Sequence, residues 1–321
     1  MESRKLVKSG NTSFTITLPI DWIRKNNLDA GSNVHLDENQ TGDIILRAGR
    51  KARNITKTHA QESINIDEKN TKEIELELII QYVRDSPALI LQGKQITNKA
   101  PAITRVTQEL IGFEIIDQSP NSISIKNFFR LDDETSPRNM VKKLFQINQT
   151  ALSIVEKFFQ EGLSKQEVYE IEQFAAQSKK LSYVAEKGIL AATQDPSKIK
   201  TIRTNKLELL KQKTYVAANR RITIYLSRIA ELLNLVNKDD PGVDAFKELF
   251  EEVQQAINSL ARSIFNGEIH TIKHLLIATE TTEKRIEEHF SRFEDSLLLQ
   301  ANTLLFALNQ EVWDLSYEAL L

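Results

Sequence analysis

The chain has 321 residues, 40% of them apolar and 27% charged, with a formal net charge of −2. That is the composition of a globular protein, and the length leaves room for about two domains. There is no cysteine, which excludes disulfides, zinc–thiolate sites and cysteine nucleophiles. With 10 Gly and 7 Pro, long disordered linkers are disfavoured and helix is favoured. Met1 to Lys5 runs straight into a strand pattern and lacks an apolar signal core. No apolar run approaches the roughly 18 residues of a membrane span. The richest, Leu297 to Leu308, is broken by Gln300, Asn302 and Thr303. A cytoplasmic protein without membrane insertion is expected.

The net charge hides an asymmetry. Met1 to Ala60 carries ten Lys/Arg against six Asp/Glu, or +4, and the remainder carries 32 against 38, or −6. Arg47, Arg50, Lys51, Arg53 and Lys57 follow one another with no acid between Asp43 and Glu62. A basic head on an acidic body hints at a polyanion partner. The plainer alternative is a solvated linker with chance charge.

In chain order, Arg4 to Ser9 reads as a short strand and Gly10-Asn11 as its turn. Ser13 to Leu18 alternates Phe14, Ile16 and Leu18 with Ser13, Thr15 and Thr17, a half-buried strand. Pro19 ends it and suits a first helical turn. Ile20 to Asn26 supplies that helix, with Ile20 and Ile23 or Trp22 facing inward. Strands follow at Asn33 to Asp37 and Ile44 to Arg47, giving β-β-α-β-β. So short a unit buries too little surface to stand alone. Without disulfides it needs a second copy.

Here Lys8, Gly10, Ser13, Ile16, Leu18, Pro19, Trp22, Leu28, Gly31 and Val34 carry a resemblance. Arg4 to about Ala48 resembles the swapped-hairpin DNA-binding domain of the AbrB, SpoVT and MazE type. The resemblance implies that two protomers interleave their hairpins into one barrel. It also implies that DNA contacts come from the first strand, its loop and the short helix.

Arg50 to Asn70 reads as a polar connector. Lys72 to Tyr82 has Ile74, Leu78 and Tyr82 at helical spacing; Ser86-Pro87 breaks it, and Ala88 to Leu91 is a short strand. Asn98 to Leu110 is helical, with Ile103, Val106 and Leu110 on one stripe. Phe113 to Ile116 and Ser122 to Ile125 are strands joined by a hairpin-like turn. From Ser136-Pro137, a helix cap with Pro at the first position, the chain becomes helical. Gly162, Asp195-Pro196, Asp239-Asp240-Pro241-Gly242 and Gly267 punctuate it into five helices. The fifth could run unbroken from near Glu268 to around Trp313. Each stripe is wide enough to bury a helix face in a bundle.

Arg105, the run Leu110 to Ile116, and Ile229-Ala230-Glu231 are similar to the PhoU-like phosphate uptake regulators, in particular the archaeal type with an AbrB-like head. That resemblance covers nearly the whole chain. The expected fold is multidomain α+β: a dimeric swapped-hairpin β-barrel, a small α/β segment, and a mostly α PhoU-like bundle of two three-helix units. The corresponding segments are 1–48, a polar basic connector at 49–70, then 71–131, 136–238 and 243–321. The resemblance implies acidic motifs that gather metal ions. Where the third helix of the family reads E-R-I-x-D, this chain has Arg220-Arg221-Ile222-Thr223-Ile224. The second helix offers Gln177, Ser178, Lys179 and Lys180 in place of acids, so the first unit lacks the ligands.

In the second unit Glu280, Glu283, Glu287 and Glu288 cluster at helical spacing, and Glu280, Glu283 and Glu287 could hold a divalent cation. The competing reading is a solvated acidic face. His270 and His274 have chelating spacing but no evident third ligand. Arg138 and Arg203 could pair with phosphate, though lone arginines are usually surface residues. No phosphate-cradling or nucleophile-elbow motif is present, and no enzyme is expected.

The DNA-contact candidates are Arg4, Lys5, Lys8, Asn11, Thr12, Arg24 and Lys25. The cations would neutralise phosphates; Asn11 and Thr12 would reach a phosphate or a base edge. The competing reading makes them solubility charges on a dimerisation module. The expected function is a homodimeric, DNA-binding transcriptional regulator of phosphate homeostasis. The alternative is a PhoU-like adaptor that docks on a phosphate transporter or signalling protein without binding DNA. An antitoxin-like role fits less well, since antitoxin tails are short.

Overall fold

The computed structural model describes residues 3–38, 44–48, 62–290 and 296–321. The chain divides into two units, Met1–Ala60 and Gln61–Leu321.

The first unit has the expected order: β1 (Val7–Ser9), β2 (Ser13–Thr15), α1 (Ile20–Lys25), β3 (Val34–Glu38) and β4 (Ile44–Ala48). β1 and β2 form one antiparallel hairpin, with Lys8 opposite Phe14, and β3 and β4 form another. Gly10, at φ +80°, makes the first turn, a left-handed geometry that glycine adopts without strain. Asn26 stops α1 by donating from Nδ2 to the Trp22 carbonyl at 2.8 Å.

The expectation of a half-buried strand over 13–18 is corrected. β2 is only Ser13–Thr15, and Phe14 and Ile16 are exposed. Ile20, expected to face inward, is also exposed, while Trp22 and Ile23 are half-buried. The alternation is there, but a single copy of the unit supplies nothing to cover it. The basic residues Arg50, Lys51, Arg53 and Lys57 lie outside the described residues, as does most of the connector.

The second unit opens with a four-stranded sheet in the order β5-β6-β8-β7. Its strands are β5 (Glu62–Asn65), β6 (Ala88–Gln92), β7 (Phe113–Ser119) and β8 (Ser122–Asn127). β5 runs parallel to β6, and the remaining pairs are antiparallel. β5 lies in the stretch 49–70 that its polar composition predicts as connector. The fully buried Ile66 after it joins the core of this layer. Helices α2 (Thr71–Val83) and α3 (Ile96–Glu109) lay Ile74, Leu78, Tyr82, Ile103 and Val106 against Leu89, Leu91, Ile123 and Ile125. Asn70 and Glu73 start α2 with reciprocal side chain-to-backbone bonds. Gly112, at φ +77°, receives the Phe128 amide on its carbonyl at 2.7 Å. A Cβ there would stand 2.9 Å from the Phe129 nitrogen, so only glycine fits the approach.

The rest is helical: α4 (Pro137–Glu156), α5 (Phe158–Glu161), α6 (Lys165–Gln194), α7 (Pro196–Thr201), α8 (Lys206–Leu233), α9 (Gly242–Asn266), α10 (Ile269–Phe290) and α11 (Ser296–Leu320). α4, α6 and α8 pack on one another, as do α9, α10 and α11. α8 against α11 and α4 against α9 join the two sets around one continuous core. Ser136 caps α4, with Pro137 at its first position, and Ser164 caps α6 with Glu167. Bonds from the Ser164 amide and hydroxyl, aided by Lys157, hold the Glu167 carboxyl at about 2.

The unbroken fifth helix is corrected to two, α10 and α11. The Asn302 amide donates to the Ile286 carbonyl at 3.2 Å, and that of Asn309 to Thr279 at 2.8 Å. These pairings run in opposite directions along the chain, so the two helices lie antiparallel. Fully buried Ile286, Leu305, Leu308 and Val312 share the core that this reversal closes. Among the described residues no helix is long and apolar enough to cross a membrane.

Candidate functional site

All seven candidate DNA-contact residues are exposed. The first hairpin gathers three of them: Lys8 on β1, and Asn11 and Thr12 in the turn that Gly10 opens. The Ser13 hydroxyl donates to the Ser9 carbonyl and braces that turn. Arg24 and Lys25 occupy the last turn of α1, where cations also favour the helix dipole. Arg4 and Lys5 precede β1.

The same unit presents apolar surface. Leu6, Val7, Phe14, Ile16, Ile20, Leu36 and Ile44 are between 47% and 68% exposed. Among its described residues only Leu28 is a buried apolar side chain. Exposed large apolar residues at this density in so small a unit mark an association surface.

Beside the stretches where the resemblance expects metal-binding acids, Gln177 to Lys180 and Arg220 to Ile224, lies a neutral polar core. Thr223, Ser178, Asn148 and Asn219 are fully buried. The Thr223 hydroxyl lies 2.6 Å from Asn148 Oδ1 and 3.1 Å from Ser178 Oγ. Asn148 Nδ2 donates to Asn219 Oδ1 at 2.9 Å, and Asn219 Nδ2 to the Tyr215 carbonyl at 2.8 Å. These groups satisfy one another and fix the register of α4, α6 and α8. Sequence reading missed them; the signal was four short polar residues at core-facing positions. Arg221 instead pairs with Glu311 on α11, its Nη2 lying 2.7 Å from Oε2, and so ties the two helix sets together.

Glu280 and Glu287 are exposed on α10, and Glu283 is half-buried there. Among the described residues no group of three or more His, Asp or Glu side chains converges as metal ligands would. His270 and His274 meet edge to face at 4.4 Å between ring centres. Arg203, at φ +49°, sits between α7 and α8. Arg138 lines a small cavity of about 110 Å³ with Glu208, Gln212 and Tyr215.

A buried cation was also missed. Lys187 on α6 is 1% exposed, with Nζ 4.3 Å from the Tyr82 ring centre and 4.5 Å from that of Phe129. Its ion partner is Asp85 Oδ1 at 3.1 Å, and Lys198 approaches Oδ2 of the same carboxylate at 3.4 Å. Burial pulls the Lys187 pKa below the ordinary 10.5, against the pull of Asp85. Burial likewise pushes the Tyr82 phenol up, with Asp85 adding to it.

No family model, no curated protein and no solved structure matches the chain.

Proposed function

We propose that the chain is a DNA-binding transcriptional regulator of phosphate uptake that dimerises through its first unit, with the helical unit as sensor or transmitter. One observation carries the reading: a unit of net charge +4 whose apolar side chains stand in solvent while its candidate contact cations are exposed beside them. A second copy covers the apolar face by the same patch on both chains. The cations are then presented twice about one axis, which suits a palindromic site. The resemblance to PhoU-like regulators supplies phosphate as the physiological signal.

Two measurements on the full chain test this. Phe14→Asp places a charge on the apolar face and is expected to shift the chain from dimer to monomer in sedimentation velocity, with its helical circular dichroism unchanged. A dimer that persists would remove the first unit from the interface.

Gel shifts with DNA from upstream of phosphate-transport genes, taken across a salt series, address the cations. Changing Arg4, Lys8 and Arg24 together to Ala removes six charges from a dimer. The slope of log affinity against log salt should flatten by up to about 5, with affinity at low salt falling on the order of 100-fold or more. An unchanged slope would refute the contact assignment. A dimer that shifts no DNA at any salt would make the chain an adaptor for a transporter or signalling protein.

A further inference from the structure

A cavity of about 700 Å³ opens where the sheet layer meets the helices. Val83 at the end of α2 forms one wall, Ile189 and Leu190 on α6 the next, Ile199 on α7 a third, and Leu209 and Leu210 on α8 the fourth. The volume is that of a small-molecule site, and the walls are as apolar as such sites usually are. The polar groups are few. Lys206 and Lys213 stand on α8, seven residues and about 10 Å apart along one face. Glu186 faces them from α6. Two ammonium groups against one carboxylate leave the lining with a net +1.

We propose that this cavity binds a small amphiphile with an apolar body and a single anionic head, the body lying along Ile189, Leu190, Ile199 and Leu209 and the head held by Lys206 and Lys213. Charge decides the class of ligand. A neutral apolar molecule would leave both ammonium groups unanswered at the rim, and a cation would meet net repulsion. A dianionic head would exceed the lining's single surplus charge. Burial raises the Glu186 carboxyl above its ordinary range, with Arg220 and Lys213 opposing the rise.

The place gives occupancy a consequence. Ile199, in the wall, follows Lys198, which reaches Asp85 at the end of α2. A ligand there presses on the same short helix that ties the sheet layer to the bundle.

Isothermal titration of the full chain with decanoate, decan-1-ol and decylammonium, which share one tail and differ in head, tests the proposal. One decanoate is expected per chain, bound at least about tenfold more tightly than the other two. Lys206 and Lys213 are both exposed, so K206E/K213E should fold normally and lose tenfold or more in decanoate affinity. Leu190→Trp fills the cavity and should abolish binding. Leu210→Trp, at a position 64% exposed, repeats that test where folding is not at stake. Equal affinity for all three heads would overturn the proposal. So would decanoate binding that survives both the charge reversal and the Trp variants, or an absence of binding up to the solubility of decanoate.

Discussion

Asp85→Asn should cost about 2–3 kcal/mol of stability, and the loss should shrink as pH rises. The reason is Lys187. Its ammonium is 1% exposed between two aromatic faces, and it makes no hydrogen bond of good geometry, so the Asp85 charge at 3.1 Å is its main compensation. Stranding a buried charge costs about 3–5 kcal/mol, and the lower figure applies here because Asp85 is 39% exposed and water already screens the pair. Asn is the informative substitution. Asp85 sits at φ +61°, which Asn tolerates, and Asn can still accept the bond that Asn127 Nδ2 gives Oδ1 at 3.2 Å.

The sign with pH follows from proton uptake. The folded-state pKa of Lys187 lies below 10.5, so between the two values the unfolded chain binds more protons. Stability therefore rises with pH across that window. Removing the Asp85 charge lowers the folded value further and opens the window at lower pH. Melting temperatures of Asp85→Asn should climb more steeply than those of the parent as pH rises toward 10.5. Lys187→Met in the Asp85→Asn background should restore most of the loss, since an apolar chain suits the Tyr82–Phe129 cage. A parallel pH profile, or no rescue by Met, would mean that the pair is not the source.

What could be read from the sequence follows how local the signal is. α2, α3, α4, α6, α8 and α9 announce themselves through apolar residues three and four apart, bounded by Asn70, Ser136, Ser164, Asn205 and Gly267 at their ends. β5 could not be seen, because Glu-Ser-Ile-Asn offers one apolar residue and is a strand only by lying beside β6. The break between α10 and α11 was equally hidden, since it is the pairing of Asn302 with Ile286 and of Asn309 with Thr279 that reveals it. Lys187 did leave a trace, a lysine on the stripe between Val184 and Ala191, but its aromatic cage comes from α2 and from the chain after β8. The apolar cavity draws on four helices and has no motif at all. In the first unit the pattern was legible and its burial was not, because alternation reports that a face is to be covered and not by which chain.

Phe246→Ala should lower stability by about 3–5 kcal/mol, with a fall in melting temperature of roughly 10 °C. Phe246 is fully buried on α9, with its ring centre 6.2 Å from that of Phe159 and 6.4 Å from that of Phe250. Phe159 in turn lies 5.6 Å from Phe250 and 5.5 Å from Phe158. Phe158 and Phe159 belong to the first helix set, Phe246 and Phe250 to the second, so the four rings form a seam between sets that otherwise meet through α4–α9 and α8–α11. Truncation removes the transfer energy of a whole ring. It also leaves a void that neighbours on two separate elements cannot collapse into without parting the sets. Phe246→Leu keeps most of the volume and should lose less than half as much. Ile224→Ala, at a position 42% exposed on α8, should change stability by no more than about 0.5 kcal/mol. If Phe246→Ala melted within about 3 °C of the parent, the seam would be filling space rather than holding the two sets together.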